Sequence, residues 1–261
     1  MSLVVVKRRG KAVRVGAAAA AVIAIGGIAV AVMYGDTPLT AADYQRNPAA
    51  MMEAYRHVEA ASVSDAEEQL LHERHYMSHR MHPVFPTKFA GTALTVLLKK
   101  EENSDAHALD GMLEAIDSGG AGQVYVVKVE DGADIAGVGG LMGTAMAARG
   151  FAGAVVDGGV RDVAQLKRVG FPVYSTGAVV STAVGHYRFA GRNVPLEVDG
   201  TRVEANDIIV ADQDGVVVVP RAHAAEVLVQ AQKLDYSEHS TYPAIEKLHS
   251  IVEAVKEFGR I

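Results

Sequence analysis

Gly153-Ala154-Val155-Val156-Asp157-Gly158-Gly159-Val160-Arg161-Asp162-Val163-Ala164-Gln165-Leu166-Lys167-Arg168-Val169-Gly170-Phe171-Pro172-Val173-Tyr174-Ser175 is the stretch on which the fold turns. Gly153 to Asp157 is apolar enough for a buried strand, and Gly158-Gly159 predicts a turn. Asp162 to Val169 predicts a short helix, and Pro172 to Ser175 a second strand. Upstream, Gln123 to Val129 reads as a strand and Leu141 to Arg149 as a helix; before them Gly91 to Leu98 suits a strand and Ser104 to Ile116 has helical spacing. Strand and helix alternating at this interval imply an α/β domain with parallel pairs. Past Thr176 the pattern is strand-rich, with Val194 to Glu197, Ile208 to Ala211 and Val216 to Pro220, the last two joined by a hairpin turn at Asp212-Gln213-Asp214-Gly215. Ala222 to Leu234 predicts a helix. Toward the amino end, Pro38 and Pro48 mark a linker into a helix around Ala49 to Ala61, and Ser62-Val63-Ser64-Asp65 offers caps for a helix over Ala66 to Arg74. The expected organisation is therefore residues 1–34 apart, a linker and lead-in helix over 35–59, a main domain over 60–235, and a charged helical tail over 236–261 placed at a subunit interface.

Composition narrows the function classes. The chain has 261 residues, 49% hydrophobic and 21% charged, which suits one large core and excludes disorder. It has no cysteine, which removes disulfides, zinc ribbons, iron–sulfur clusters and thiol nucleophiles. A net charge of −6 gives no general attraction to nucleic acid, and none is expected as a partner.

The first fourteen residues carry Lys7, Arg8, Arg9, Lys11 and Arg14 and no acid. Val15 to Met33 is then uncharged and apolar, about long enough to cross a bilayer. This layout predicts an amino-terminal apolar helix acting as a signal peptide or membrane anchor, with Ala29-Val30-Ala31 as a small-x-small cleavage site and Arg8-Arg9 as a twin-arginine pair. Export or anchoring through residues 15–33 is the expectation; a cytoplasmic location follows if the segment is not a targeting signal.

Two clusters carry chemistry. Gly137-Val138-Gly139-Gly140-Leu141-Met142-Gly143 opens an Ala-rich helix, and unpaired backbone donors at a helix start favour a carboxylate or phosphate. The same glycines would also suit tight strand–helix packing. They match neither a dinucleotide fingerprint nor a phosphate-binding loop. In the second cluster Arg161 and Asp162 follow a buried strand, where open α/β sheets place ligands. The arginine offers a fork for a keto acid carboxylate, and the aspartate a hard oxygen for Mg²⁺ or Mn²⁺. The plainer alternative makes Asp162 a helix cap paired with Arg161. His72, His75, His79 and His82 recur at helical intervals, a spacing that on one helix could bind a transition metal.

Arg80-Met81-His82-Pro83-Val84-Phe85-Pro86, Gly91-Thr92-Ala93-Leu94-Thr95-Val96, Gly139-Gly140-Leu141-Met142, Val156-Asp157-Gly158-Gly159-Val160-Arg161-Asp162, Phe171-Pro172-Val173 and Ile208 to Pro220 form an ordered set. With it, residues 60 to 235 resemble the RraA-like family, which includes 4-hydroxy-4-methyl-2-oxoglutarate aldolase. The resemblance implies an α/β/β/α sandwich with a strand-rich second half, assembled as a homotrimer or hexamer with sites between subunits. It implies a divalent-metal-dependent lyase of the class II pyruvate aldolase type, cleaving 4-hydroxy-2-oxo acids or decarboxylating oxaloacetate to pyruvate. On that pattern the amides of Gly139, Gly140, Leu141 and Met142, with Arg161, hold the substrate's pyruvyl group, and Asp162 anchors Mg²⁺ or Mn²⁺. Glu238, with Glu246 in reserve, would be an acid reaching a neighbouring subunit's site. The sequence departs from the family pattern at Gly140 and Gln165, where catalytic relatives usually carry acids. The rival the family offers is a non-catalytic regulatory or protein-binding module.

Overall fold

A computed structural model describes residues 38–258 together with two short amino-terminal strands. Those strands, β1 (Ala20–Ala21) and β2 (Val32–Met33), pair antiparallel with each other. This corrects the expectation of an apolar helix over 15–33, since two points of that segment are strand. Among the described residues no helix is long and apolar enough to cross a membrane. Export or anchoring through such a helix is therefore not supported. The rest of residues 1–37, including the Arg8-Arg9 pair and Ala29-Val30-Ala31, lies outside the described residues.

Helices α1 (Ala41–Arg46) and α2 (Pro48–Tyr55) lead into α3 (Ala60–Leu71). Thr40 and Asp43 close a capping box on α1, and Asn47 caps α2 ahead of Pro48. The cap expected at Ser62 to Asp65 is instead inside α3, whose N-cap is Glu59. Burial of Ala60, Val63 and Ala66 on one face draws the helix start back past the local cap signal. His72 ends α3 in the left-handed conformation, so the four histidines are not on one helix.

The sheet begins with β3 (His82–Pro83) and the long β4 (Phe89–Lys100), followed by α4 (Asp110–Ser118), shorter than its predicted span. Then come β5 (Gln123–Val129), β6 (Ala136–Val138), α5 (Gly140–Ala148), β7 (Gly153–Val160), α6 (Val163–Val169) and β8 (Val173–Ala178). The second half adds β9 (Tyr187–Arg192), β10 (Leu196–Val198), β11 (Thr201–Val203), β12 (Ile208–Asp212) and β13 (Gly215–Val219). Helix α7 (Ala224–Leu248) runs through residue 235 without a break, and α8 (Ile251–Phe258) follows. β4, β5, β7 and β8 are parallel neighbours, as βαβ crossovers require. β12 and β13 form the expected hairpin, with Asp212 opposite Gly215.

The order is β13-β12-β4-β5-β7-β8-β3, with β9 on β4 and β6 on β7. Tyr76 bridges to Val217, and the Met77 amide donates to the Val216 carbonyl at 3.0 Å, so the segment before β3 reaches back to β13. The sheet is thus nearly closed. The two β layers of the expected sandwich are halves of one curved sheet, which is a mixed α/β fold.

Strand alternation explains this. Along β5, Val124 and Val126 face an interior shared with Val155, Ile209, Ala211 and Val218, while Tyr125, Val127 and Val129 face the layer formed by α4, α5 and α6. Ile208 and Val210 of β12 point instead to α3 and α7. The central strands β4, β5, β7 and β12 therefore bury both faces, and two helical layers cover the outside.

Candidate active site

β7 positions the site. Its glycines do not make the predicted turn: Gly158 and Gly159 lie within the strand, where the pairing with β8 shifts register between Val156 and Gly159. Gly158 has φ +151°, a region open to glycine, and a Cβ on Gly159 would stand 2.3 Å from Val179 Cγ2. The bulge lets the end of β7 pair with β6. The Arg161 amide then donates to the Val138 carbonyl at 3.1 Å, setting Arg161 beside Gly139.

Asp162 is the N-cap of α6 at φ 58°, ψ 38°, a left-handed conformation that aspartate tolerates better than most residues. Its side chain does not cap α6. It crosses to the neighbouring helix, where its Oδ2 accepts from the Gly140 amide at 2.9 Å. One of the free donors expected at the start of α5 is therefore taken by the aspartate itself. The amides of Leu141 and Met142, also in the first turn, have no carbonyl four residues back within the helix. The side chain of Arg161 lies alongside: its Nε is 3.8 Å from Asp162 Oδ2, and its Nη1 donates to the Ser181 carbonyl at 3.3 Å. Both side chains remain about half exposed. Asp162 Oδ2 and Arg161 Nε would lie 3.2 and 3.3 Å from a Cβ on Gly139, so the bare backbone there gives the pair its room.

The chain thus brings Gly139, Gly140, Arg161 and Asp162 together at the carboxyl ends of two adjacent parallel strands. Leu141 is 91% exposed beside them. Chemically this is a small anion-binding corner: backbone donors, a guanidinium and one carboxylate. Asp162 is a hard oxygen donor of the kind that holds a magnesium-like ion through one carboxylate with water completing the shell.

At the two positions lacking acids, a different arrangement stands. Thr144 Oγ1 donates to the Gly140 carbonyl at 2.7 Å, Gln165 Nε2 donates to Thr144 Oγ1 at 2.8 Å, and Arg168 Nε donates to Gln165 Oε1 at 2.9 Å. A Cβ on Gly140 would be 3.0 Å from both Asp162 Cβ and Gln165 Cγ. Gln165 and Asp162 have closed over the position, and a hydrogen-bonded chain joins α5 to α6. The sequence carried no signal for Thr144 or for the Ser181 carbonyl, which come from other elements. Glu238 is exposed on α7 and accepts from the Tyr242 hydroxyl at 2.6 Å; Glu246 is exposed further along the same helix.

The sequence profile of the RraA-like family, described as Aldolase/RraA, matches residues 60–218. The chain belongs to the RraA-like family. A protein of Halalkalibacterium halodurans named "Putative 4-hydroxy-4-methyl-2-oxoglutarate aldolase" is 34% identical over 100 residues, 37% of this chain and 45% of its own. One of the same name from Burkholderia multivorans is 38% identical over 134 residues, 50% of this chain and 75% of its own. The match thus spans less than half of the first relative. A solved structure of an uncharacterized protein from Pseudomonas syringae pv. tomato has TM-score 0.69 at 26% identity, covering 78% of this RraA-like chain and 96% of that one.

Proposed function

We propose that this RraA-like chain is a lyase acting on short pyruvyl acids, cleaving a 4-hydroxy-2-oxo acid or decarboxylating oxaloacetate with Mg²⁺ or Mn²⁺ held at Asp162. The observation that carries the reading is the meeting of Arg161 and Asp162 over the bare backbone of Gly139 and Gly140. The relatives' aldolase names support the reaction class. Arg161 pairs with the substrate carboxylate, and its fork fixes the orientation of the keto group. The Leu141 and Met142 amides complete the anion cradle. The Gly140 N–H holds Asp162 in its left-handed pose, so that the carboxylate is preorganised. A divalent cation held by Asp162 would supply Lewis-acid stabilisation of negative charge on the keto oxygen. In aldol cleavage the 4-hydroxyl gives its proton to ordered water and departs as a carbonyl product; in decarboxylation CO2 departs. In both the bonding electrons stay on the pyruvyl fragment as an enolate, whose methylene carbon takes a proton back from that water or from bulk solvent to give pyruvate. Lys167 is exposed on α6 and takes no part.

Oligomeric assembly belongs to the same reading. Leu141, Val180 and Val184 are 91%, 100% and 67% exposed, and a neighbouring copy would cover them. Glu238 of such a copy is then the acid supplied across the interface. The second reading, a non-catalytic binding module, is favoured by one observation: Gly140 and Gln165 stand where the catalytic pattern has acids. A coupled assay for pyruvate separates the two. With Mg²⁺, the protein is expected to release pyruvate from oxaloacetate or 4-hydroxy-4-methyl-2-oxoglutarate, and Arg161→Ala to lose about a hundredfold or more in kcat/KM. No release from either substrate, with Arg161→Ala indistinguishable, overturns the lyase reading.

A further inference from the structure

We infer that Glu67 and His75 form a proton-dependent latch on the seam that closes the sheet, a device independent of the lyase reading. The seam is short. Tyr76 bridges to Val217, the Met77 amide donates to the Val216 carbonyl at 3.0 Å, and the Val218 amide donates to the His75 carbonyl at 2.8 Å. His75 is thus the first residue of the segment that ties the chain after α3 to β13, and its ring turns back toward α3. There its Nδ1 stands 3.4 Å from Glu67 Oε1, while Nε2 on the other side of the ring stands 3.1 Å from Glu73 Oε2.

This contact differs from an ordinary ion pair, because nothing donates to the buried acid. The Glu67 side chain is 1% exposed, and neither of its oxygens nor His75 Nδ1 has a hydrogen-bond partner among the described residues. The surroundings explain why. Asp207, ahead of β12, already accepts from the Glu204 amide at 2.8 Å and the Arg221 amide at 3.0 Å, and Tyr55 of α2 gives its hydroxyl proton to the Ala224 carbonyl at 2.6 Å. β13 and α7 meet α3 with apolar side chains, among them Val217, Val219 and Leu228. The titratable groups that act on Glu67 are Asp207, Glu73, Tyr55 and His75, and of these only His75 can carry a positive charge.

The count of protons then defines the closed state. A neutral imidazole has one N–H and cannot serve two carboxylates. With the Nε2 proton directed at Glu73, one further proton is needed between Nδ1 and Glu67 Oε1, and either atom can hold it. When that proton is lost, two lone pairs face each other away from solvent, or the ring turns its single proton inward and Glu67 Oε2 stays charged and unpaired near Asp207. Both arrangements penalise closure. An open seam relieves the penalty, since the carboxylate then meets water. The ring has room to leave: His75 lines a cavity of about 640 Å³ with Arg202, Glu204, Asp207 and Arg221. Its departure carries the His75 carbonyl off the Val218 amide, so the seam opens from that end. Burial, with the charges of Asp207 and Glu73, pushes the Glu67 pKa up from 4.5 to about 8, so closure weakens as pH rises between those values and levels off above them.

Native-state hydrogen exchange on the full chain tests the latch at the Met77 and Val218 amides. Glu67→Gln serves as the neutral reference at every pH, so that the intrinsic pH dependence of exchange cancels. The ratio of wild-type to Glu67→Gln rates at these two amides is expected to rise about tenfold or more from pH 5 to pH 8 and then hold constant. The exchange should also be faster than at Val126 inside β5 and insensitive to low concentrations of denaturant, the mark of local opening. A ratio that stays constant from pH 5 to pH 8 overturns the latch. So does exchange at Met77 and Val218 that follows Val126 at every denaturant concentration, because only global unfolding would then expose Glu67. Should Glu67→Gln fail to fold, wild-type protection factors decide: those of Met77 and Val218 must fall about tenfold or more over the same range, and protection that does not vary with pH overturns the inference.

Discussion

At the residue scale, the corner is shaped by what is missing as much as by what is present. Positions 140 and 165 carry no acids, Asp162 accepts from the Gly140 amide of the glycine turn, and Gln165 spends its polar atoms on Thr144 and Arg168. Outer carboxylates that hold metal-bound water typically change affinity ten- to hundredfold. Gln165→Glu is therefore expected to lower the Mg²⁺ Kd about tenfold, read by calorimetry; an unchanged Kd would show that the metal is not held beside Asp162. Position 140 is the harder one to restore, because any Cβ there meets Asp162 and Gln165 at 3.0 Å. Arg161 and Asp162 were legible in the sequence as an adjacent pair after a buried strand. That Asp162 would reach across to the Gly140 amide was not, since the bond spans 22 positions and depends on a left-handed backbone.

At the element scale, sequence pattern succeeded where one interaction dominates and failed where two compete. β5 is found at Gln123–Val129 as read, because a dense apolar run buried on both faces has no alternative. Gly158-Gly159 looked like a turn, but strand pairing on both sides of β7 carries the chain through them as a bulge. α3 starts early because its packing against α7 outweighs the local cap. The same helix carries a prediction of its own. Glu67 is 1% exposed, neither carboxylate oxygen has a hydrogen-bond partner, and burial, reinforced by the nearby Asp207 charge, pushes its pKa up from 4.5 to about 8. Between those values the folded protein keeps a proton that the unfolded chain has lost, so stability falls as pH rises through the window and levels off above it. Glu67→Gln removes the titration. Its stability advantage over wild type in thermal unfolding should grow from pH 5 to pH 8 and then hold constant; an advantage that does not vary with pH would mean that Glu67 ionises freely in the fold.

At the scale of the whole molecule, the α/β class was readable from strand–helix alternation, whereas the near-closure of the sheet was not. Closure depends on Tyr76 and Met77 reaching Val216 and Val217, about 140 positions away, a pairing that no local periodicity encodes. The exposed Leu141, Val180 and Val184 lead to a prediction about assembly: the protein should sediment as a trimer or larger, and Val180→Asp should shift it toward monomer. Monomeric wild-type protein at micromolar concentration would remove the interface from the account.

The most direct test of the central claim, that Arg161, Asp162 and the glycine-turn amides together hold a small keto acid, is calorimetric titration with oxalate, a mimic of the pyruvate enolate. In Mg²⁺ the wild type is predicted to bind it, binding should disappear when the metal is chelated, and Arg161→Ala should bind at least a hundredfold more weakly, a loss of about 2.7 kcal/mol. Oxalate binding of equal strength in wild type and Arg161→Ala, or no binding by either, would contradict it.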